Sequence, residues 1–300
     1  MHNAESRKLS YKIANGVIMF IMILLMLITI YPLYYTICAS FSDARALLRN
    51  NDLLLKPLEP FTLDGYKAVF SNPSIVKSFG NTVFYVVVGT AISMALTIAG
   101  AFVVSRSYFL PRNVMMKGML FTMFFGGGLI PTYVVMQSYG LLNTVWSQIL
   151  LGSMSTYNLI LVMSYFRSIP ESLEESAHLD GASDWVTLWK IYVPLSVPSL
   201  AVVALYFIVA KWNNWMTSAI YLTKRSLFSL QLILKEILIS GNTEAAGMEN
   251  SVSGGAADYQ AYSEAVKYAT IVVSTLPVLC VYPFLQKYFM KGIMLGAIKG

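Results

Sequence analysis

The sequence predicts an all-α integral membrane protein with six transmembrane helices. Hydrophobic residues make up 56% of the 300 residues and charged residues only 12%, which is about half the charged fraction of an average soluble chain. The mean hydropathy is +0.61, and uncharged runs long enough to cross a bilayer recur along the chain. One soluble core would not use this much apolar sequence, so the composition indicates a polytopic membrane protein.

The first two predicted spans are residues 13–40 and 78–105, two runs without Asp, Glu, Lys or Arg. Charge is a useful marker because a charged side chain at the centre of the hydrocarbon costs several kcal/mol, whereas a crossing helix needs about 20 apolar residues. Residues 1–12 are polar and basic. The run that follows them is about twice as long as the apolar core of a signal peptide, so we expect a retained helix after a short N-terminal tail.

The remaining four spans are predicted in the same way. Residues 118–166 are uncharged and too long for one crossing, so we expect them to fold back once, at the polar stretch 137–148, and to give the third and fourth spans. Residues 191–222, interrupted only by Lys211, give the fifth span, and residues 268–286 give the sixth. The chain is thus divided into an N-terminal tail, one transmembrane domain and a C-terminal tail: residues 1–12, 13–290 and 291–300.

Basic residues in the short loops predict the orientation of the helices. Arg106, Arg112 and Lys117 lie between the second and third spans with no acidic residue among them, whereas the turn between the third and fourth spans carries no charge. Because short cytoplasmic loops are enriched in Lys and Arg, the first of these loops is predicted to be cytoplasmic. An even number of spans then places both termini in the cytoplasm, together with the loop 168–194 between the fourth and fifth spans.

The loop 168–194 is unusually polar for this chain and contains two predicted helices. Residues 171–180 form an acidic helix that Gly181 is expected to end. This amphipathic pair of helices fits either a docking element for another protein or a connector that lies at the lipid headgroups. The second helix is predicted from four apolar residues at spacings of i, i+3, i+4 and i+7, which give one mostly aromatic face: Trp185, Leu188, Trp189 and Tyr192.

The same loop resembles the EAA loop of the membrane subunits of ATP-binding-cassette (ABC) importers. The family pattern is E-A-A, three residues, G, nine residues, I-x-L-P, and residues 175–194 match its spacing throughout. Ser176 replaces the first alanine and Val193 the leucine, and both changes are conservative. The stretches IPTYVVMQSYGLLNTVWSQIL, WNNW and YPFLQKYFMKGIMLGAIKG resemble the carbohydrate-uptake branch, in particular the second permease of maltose-type systems and the polysaccharide-permease subgroup. The resemblance covers nearly the whole chain.

The resemblance implies a mechanical role for this loop. In the family, a helix of the loop sits in a groove on the cytosolic ATPase and passes the movement of the ATPase dimer to the transmembrane helices. Carried over, Glu175 pairs with a basic residue of the ATPase, Gly181 makes the bend between the two short helices, and residues 175–189 form the docking region. The residues predicted to dock are Glu174, Glu175, Ser176, Ala177, Asp180, Gly181, Ala182 and Trp185.

The resemblance also implies the rest of the assembly. The expected fold is that of a type I ABC importer permease. The expected partners are a second homologous permease, an ABC ATPase dimer, an extracytoplasmic solute-binding protein, a carbohydrate substrate and membrane lipid. ATP and Mg²⁺ are expected on the ATPase, with no cofactor on this chain. The expected location is the bacterial inner or plasma membrane, where the chain forms half of a pathway for an oligosaccharide or polysaccharide-derived sugar.

The fifth span contains a second candidate site. Lys211 follows Pro198 by about 13 residues, or roughly 20 Å along a helix, which places it in the outer part of the membrane. Aromatic rings that stack on sugars and amides that bond hydroxyl groups would line a sugar path here. The alternative is an interfacial aromatic belt with a lysine that extends to the headgroups. The residues predicted for the path are Lys211, Trp212, Asn213, Asn214 and Trp215.

Other function classes fit the sequence poorly. The histidines are His2 and His178, and no G-x-x-x-x-G-K nucleotide loop occurs, so we expect no enzyme activity, no catalytic residue and no metal site. The net charge of +6 is scattered around apolar runs rather than gathered in a stripe, which indicates lipid headgroups rather than nucleic acid. Two alternatives stay open: an ABC permease for another polar solute, and a secondary transporter or channel that needs no ATPase.

Three further stretches carry structural predictions. Glycines 126–128 break the helical pattern of the third span, which favours a simple bend over a gating kink. Residues 240–257 are rich in Gly, Ser and Ala and are predicted to form a flexible outer segment. In the second span, small residues at four-residue spacing predict two rows for close helix packing: Gly89, Ser93 and Thr97, and Ala91, Ala95 and Ala99.

Overall fold

The computed structural model describes residues 2–50, 52–240 and 256–297, and its secondary structure is helical. No β-strand occurs in these ranges, which confirms the predicted all-α class. The α-helices are α1 (His2–Ser40), α2 (Ala44–Arg49), α3 (Asp64–Ser71), α4 (Pro73–Ser105), α5 (Arg112–Phe124), α6 (Leu129–Ser138), α7 (Val145–Leu150), α8 (Thr156–Phe166), α9 (Glu171–Leu179), α10 (Asp184–Thr187), α11 (Val193–Leu195), α12 (Val197–Trp212), α13 (Met216–Tyr221), α14 (Leu230–Ser240) and α15 (Ala256–Ala297).

The chain divides into two compact units. One comprises Met1–Asn72 and Ile237–Val273, and the other comprises Pro73–Glu236 and Ser274–Gly300. Both candidate sites predicted from the sequence lie in the second unit.

In the first unit, the end of α1 packs against the segment that follows it. Cys38 and Ala39 form a small buried cluster with Leu47 of α2 and with Leu54. Asp43 begins α2, because its side chain accepts a hydrogen bond of 2.9 Å from a backbone N–H of the first turn, the usual N-cap interaction. The segment between the first two predicted spans therefore contains two helices, α2 and α3.

The second unit is built around α4, which packs against α8 and α12. One of the two small-residue rows of α4, formed by Gly89, Ser93 and Thr97, faces inward and is buried. Small side chains allow helices to approach closely in a membrane protein, so the predicted packing row is confirmed here. The second row is exposed in this chain: Ala91, Ala95 and Ala99.

An aromatic core lies near the end of α4. Phe102, Phe166 and Tyr192 meet edge to face, with ring centroids 5.4 to 6.4 Å apart, a favoured arrangement for aromatic pairs. Phe166 and Tyr192 are 0% and 1% exposed. These rings come from α4, from α8 and from the segment that precedes α12, so they join three distant parts of the sequence.

Among the described residues, three helices are long and apolar enough to cross a membrane: Ala14–Ser40, Pro73–Ser105 and Gln260–Val281. They correspond to the first, second and sixth predicted spans. Two bent helix pairs pass the same test when each pair is taken together, which raises the number to five within the described ranges. The fourth predicted span corresponds to α8, an apolar helix of 11 residues. Six crossings therefore stay a prediction.

The predicted third span is broken. Helix α5 ends at Phe124, α6 begins at Leu129, and the two helices are bent by 117°. Gly128 has a φ of 83°, a left-handed conformation that favours glycine. Each glycine in a helix interior also costs about 1 kcal/mol relative to alanine. The predicted break at glycines 126–128 is therefore confirmed, because these residues together remove the preference for a continuous helix; the choice between a simple bend and a gating kink stays a prediction.

The predicted fifth span has a sharp corner at its beginning. Helix α10 continues through a π-helical turn at Leu188–Tyr192 into α11, and the bend to α12 is 84°. Pro194 and Pro198 lie on either side of the corner at Ser196, and proline cannot donate the backbone hydrogen bond that would continue a straight helix. The loop 168–194 thus enters α12 at a fixed angle.

Two stretches with sequence predictions extend beyond the described residues. Residues 241–255, most of the predicted flexible segment 240–257, lie outside the described ranges, as do residues 298–300 of the predicted C-terminal tail.

Candidate functional site

Helix α9, the first helix of the loop, has a well-defined C-terminal end. Gly181 has a φ of 78°, its N–H donates to the carbonyl of His178 at 3.0 Å, and the N–H of Ala182 donates to the carbonyl of Ala177 at 2.9 Å. This pair of bonds is the Schellman motif, in which a left-handed residue ends a helix. The prediction that Gly181 ends the acidic helix is confirmed.

Helix α9 lies almost entirely on the surface of its unit. Glu174 is the buried residue of the helix, whereas Leu179 is 89% exposed and Leu173 is 43% exposed. Glu175 is exposed as well. An acidic helix with exposed leucines offers a partner both charge and apolar area.

Glu174 is held by Arg106, which follows α4, and by Tyr192 of the π-helical turn. Nη1 of Arg106 donates to Oε2 of Glu174 and, at 2.7 Å, to the hydroxyl oxygen of Tyr192. The hydroxyl of Tyr192 donates to the same Glu174 oxygen at 2.9 Å. Arg106 and Glu174 are 6% and 8% exposed. Arg106 and Glu174 therefore form a buried ion pair to which the hydroxyl of Tyr192 is hydrogen-bonded. We call these three side chains the Arg106 cluster.

Two aromatic rings surround the charge of Arg106. The central guanidinium carbon lies 4.6 Å from the ring centroid of Phe102 and 4.2 Å from that of Tyr192, within the range of cation–π attraction. Burial disfavours the charged form, but the hydrogen bonds to Tyr192 and Glu174 outweigh it and raise the pKa of Arg106. The guanidinium is therefore charged and fixed in position at the end of α4.

His178 and Asp184 extend the polar contacts toward α10. Nε2 of His178 lies 3.8 Å from Oε1 of Glu174 and 3.6 Å from Oδ1 of Asp184. Tyr108 donates its hydroxyl to Oδ1 of Asp184 at 3.2 Å, and burial together with the Asp184 charge raises the pKa of Tyr108 to about 12. Tyr108 is thus a neutral donor at physiological pH. Oε1 of Glu174 has no hydrogen-bond partner in the described part of the chain.

A cavity of about 310 Å³ opens beside the Arg106 cluster. Basic and acidic side chains both line it, among them Arg106, Arg167, Glu174, Glu175 and His178. No group of three His, Cys, Asp or Glu residues that could hold a metal ion occurs in residues 2–50, 52–240 or 256–297.

The second helix does not present the single aromatic face that the spacing predicted. Leu188 and Tyr192 are 2% and 1% exposed, whereas Trp185 and Trp189 are 65% and 45% exposed. The π-helical turn at Leu188–Tyr192 uses i to i+5 hydrogen bonds, and this wider turn shifts its residues relative to an α-helical repeat. The prediction of one shared face was therefore wrong. The two indoles contact each other on the surface, with centroids 5.7 Å apart.

The residues predicted to dock differ in their accessibility. The carboxylate of Glu174 points inward to Arg106 and is not on the surface. Ser176 donates its hydroxyl to the carbonyl of Ser172 at 2.8 Å, so its side chain makes its polar contact within α9. Docking itself stays a prediction for the accessible residues: Glu175, Ser176, Asp180, Gly181 and Trp185, which are exposed, and Ala177 and Ala182, which are half-buried.

In the second candidate site, Lys211 and Trp212 are turned into the protein. Nζ of Lys211 donates to the carbonyl of Ile149, near the end of α7, at 2.9 Å. A Cβ atom at Gly89 would lie 2.8 Å from the Lys211 side chain, so this glycine makes room for the lysine. Trp212 is 4% exposed, and its indole N–H donates to the carbonyl of Ser274 at 3.0 Å. Trp212 is therefore buried and Lys211 half-buried, and a role of either residue in a sugar path stays a prediction.

The other three residues of the predicted path are more accessible. Asn213 is exposed, and the ring of Trp215 is covered by Nζ of Lys235, 3.1 Å from the ring centroid. Asn214 accepts a hydrogen bond of 3.0 Å from the N–H of Thr217 and lines a cavity of about 450 Å³. A role of these residues in a sugar path stays a prediction. Other residues that line the cavity are Gly128, Thr132, Gly152 and Tyr221.

Sequence reasoning missed the functional pairing of Arg106 and Tyr192 with Glu174. Arg106 served only as a marker of orientation, and Tyr192 only as part of an aromatic face. The available signal was the double acid at Glu174 and Glu175, because the EAA pattern accounts for only one of them. Arg106 and Glu174 are separated by 68 positions in the sequence, and no spacing pattern identifies such a distant pair.

Comparison with solved structures defines the class of this fold. A chain of a bacterial ABC transporter involved in the import of the acidic polysaccharide alginate matches with a TM-score of 0.84 and 33% identity, over 93% of this chain and 98% of that chain. The fold is thus that of an ABC importer permease. No protein-family model matches the chain.

Relatives in Bacillus subtilis (strain 168) identify the family. The polygalacturonan/rhamnogalacturonan transport system permease protein YtcP is 39% identical over 274 residues, 91% of this chain and 94% of that protein. Protein LplC is 38% identical over 276 residues, 91% of this chain and 90% of that protein. The chain belongs to the family of permease subunits of carbohydrate ABC importers, which confirms the resemblance inferred from its loop. Such permeases are not enzymes themselves.

Proposed function

We propose that this chain forms half of the translocation pathway of an ATP-driven carbohydrate importer in the bacterial inner or plasma membrane. A second homologous permease, an ABC ATPase dimer and an extracytoplasmic solute-binding protein complete the assembly, and ATP and Mg²⁺ bind to the ATPase. The chain crosses the membrane six times, with both termini in the cytoplasm. The basic loop that contains Arg106, Arg112 and Lys117 supports this orientation.

The exposed surface of α9 is the observation that carries the proposal. A surface helix whose Leu179 is 89% exposed leaves an apolar side chain among carboxylates, of which Glu175 and Asp180 are exposed as well. Such a surface is better suited to contact with the groove of a partner than to exposure to water. The partner is the cytosolic ATPase, because α9 lies in the loop that matches the EAA pattern.

Fit contributes more to this docking than charge does. An exposed ion pair contributes about 0 to 1 kcal/mol, so Glu175 mainly orients the helix on its partner. Burying a leucine side chain contributes about 1.5 to 3 kcal/mol. Leu179 and the exposed indole of Trp185 therefore provide most of the docking energy.

A single substitution tests the docking surface. Leu179→Asp places a carboxylate where an apolar contact is proposed, so we expect at least about tenfold less ATPase to copurify with the permease pair, a loss of about 1.4 kcal/mol. The permease should still fold, because the Leu179 side chain is 89% exposed. Leu110→Asp is the matched control, since Leu110 is 92% exposed in the loop after α4. Normal copurification of the Leu179 variant would contradict the docking assignment.

We further propose that the substrate is an oligosaccharide released from an acidic polysaccharide. Two similar proteins support this class: one carries polygalacturonan and rhamnogalacturonan in its name, and the other belongs to a transporter for alginate. Asn214 and Thr132 at the 450 Å³ cavity supply an amide and a hydroxyl, which bond sugar hydroxyl groups.

Reconstituted transporter tests the substrate class. We expect uptake and ATPase stimulation with oligogalacturonate and none with a maltodextrin of the same length. Stimulation by the maltodextrin alone would contradict the acidic substrate while leaving the docking proposal intact.

A further inference from the structure

Helix α9 meets the rest of its unit through a charged side chain. Glu174 is the buried residue of α9, and α9 contributes no residue to the apolar core cluster that contains Phe102, Phe166 and Leu188. Displacement of α9 therefore acts on its surroundings mainly through the hydrogen bonds of Glu174 and through the covalent chain at its two ends.

The partners of Glu174 belong to two different membrane helices or their extensions. Arg106 follows the last residue of α4 directly, and its Nε and Nη2 donate to Oγ of Ser105 at 3.1 and 3.0 Å. Tyr192 lies in the π-helical turn that leads into α12. The Arg106 cluster thus joins α9 to the end of α4 and to the beginning of the segment that enters α12.

The ion pair between Arg106 and Glu174 is better suited to fixing the position of α9 than to stabilising the fold. Removing two charges from water costs several kcal/mol per ion, and a buried ion pair often stabilises a protein no more than apolar residues of the same volume would. Charge-assisted hydrogen bonds are, however, directional and strong. An apolar contact tolerates sliding, whereas Arg106 bonded to both Glu174 and Tyr192 fixes where α9 lies.

We propose that Arg106 is a positioning residue that transmits displacement of α9 to the C-terminal end of α4, with Glu174 as the transmitting contact and Tyr192 as the link to the segment before α12. This inference rests on the proposed docking of α9 on the ATPase. When the ATPase dimer moves α9, Glu174 carries the guanidinium of Arg106 with it. The end of α4 and the entry to α12 then respond together rather than independently.

A double-mutant cycle in the assembled transporter tests this proposal. Arg106→Gln, Glu174→Gln and the double variant are compared by the ratio of ATPase rates with and without binding protein loaded with oligogalacturonate. This ratio does not depend on how much complex assembles, so a purely structural role would not change it. We expect both single variants to lower the ratio about fivefold or more. The double variant should be no worse than either single variant, because both changes remove the same link.

Glu171→Gln is the matched control. It removes a carboxylate from the same helix, but that carboxylate is exposed, so the ratio should stay at the wild-type value. A wild-type ratio in the Arg106 variant, or losses that multiply in the double variant, would overturn the proposal.

A second measurement needs no sugar. It also tests the proposal if the single variants fail to assemble. Hydrogen exchange at the end of α4 is followed with and without Mg²⁺ and a non-hydrolysable ATP analogue. We expect nucleotide to change exchange at residues 97–105 in the wild-type complex. Arg106→Met with Glu174→Met replaces the pair by apolar side chains that keep the packing, and it should abolish that change. A wild-type response in this variant, or no response in the wild-type complex, would overturn the proposal.

The two proposals fail in different ways. If Leu179→Asp leaves copurification of the ATPase intact, the docking of α9 is wrong. If Leu179→Asp releases the ATPase while Arg106→Gln keeps the wild-type ATPase ratio, docking stands and only the transmission through Arg106 is wrong.

Discussion

The bundle of α4, α8 and α12 is held together by apolar side chains, whereas α9 contacts the same unit mainly through polar groups, chiefly the ion pair of Glu174 with Arg106. In the bundle, Val203, Leu159 and Phe166 are each 0% exposed, and many close apolar contacts together hold the helices in place. In α9, Glu174 is the buried residue. A bundle held by many contacts resists deformation, whereas a helix held by a few directional polar contacts can be displaced as a unit. This difference suits a rigid transmembrane body driven by a separate lever.

Two cations in this unit, the buried Arg106 and the half-buried Lys211, show the same division of roles. Nζ of Lys211 donates to a neutral carbonyl, that of Ile149, and joins α12 to α7 within the bundle. Arg106 bonds to the carboxylate of Glu174 and joins the bundle to α9. Both bonds have an ionised donor and contribute about 1.5 to 3 kcal/mol, but only Arg106 faces an ionised acceptor, and removing the cation would leave that carboxylate buried without a partner. We therefore expect the second contact to be the more sensitive to substitution.

The bundle should lose the most stability when an aromatic ring is removed from its core. Phe166→Ala deletes the contacts with Phe102 and Tyr192 and leaves a cavity, which we expect to lower the free energy of unfolding by about 3 to 5 kcal/mol. Thermal denaturation in detergent measures this loss. Phe124→Ala is the matched control, because Phe124 is 77% exposed. Equal losses for both variants would contradict the assignment of the core.

Removing one partner of the Arg106–Glu174 ion pair should destabilise the protein nearly as much as Phe166→Ala does, whereas replacing both partners should destabilise it little. Arg106→Met leaves Glu174 buried without its cation, which costs about 3 to 5 kcal/mol, whereas Arg106→Met with Glu174→Met should lie within about 1 kcal/mol of the wild type. The same denaturation assay compares the variants. A double variant that is as unstable as the single one would mean that the ion pair itself stabilises the fold.

The turn after α9 should respond to backbone geometry rather than to side-chain size. Gly181→Ala forces a Cβ into a left-handed conformation, which costs about 1 to 2 kcal/mol, although the space around Gly181 is open. Gly181→Asn is the matched control, because asparagine tolerates this conformation. We expect lower ATPase stimulation by loaded binding protein in the alanine variant than in the asparagine variant. Identical behaviour of the two would show that the left-handed turn is dispensable.

The smallest expected effect concerns the lysine of the second candidate site. Lys211→Met removes the hydrogen bond to Ile149 but also relieves the burial of a charge, so it should lower the free energy of unfolding by about 1 kcal/mol. The KM for sugar uptake should stay unchanged, because Nζ of Lys211 is bonded to the carbonyl of Ile149 and its side chain packs against Gly89. Asn214→Leu provides the comparison, since Asn214 lines the 450 Å³ cavity. A raised KM for the lysine variant alone would show that Lys211 contributes to the sugar path.

Much of the candidate site was predictable because its signals are local. Gly181 ends α9 as expected, since the need for a left-handed residue depends on a few neighbouring peptide units. The side on which Trp185 and Trp189 lie was not predictable from spacing, because the π-helical turn that displaces Leu188 and Tyr192 is decided by packing against Phe102 and Phe166. The inward direction of Glu174 depends on Arg106, which is distant in sequence.

The sequence by itself determined the helical class, the position of the long apolar helices and the family, because hydrophobic runs and motif spacing act over a few turns of chain. Only the tertiary structure decided the 117° angle between the two halves of the third span, the burial of Trp212, and the burial of Glu174 while Glu175 is exposed. The physical reason is that a side chain's environment depends on which distant elements reach it. Those contacts exist only after the chain has folded.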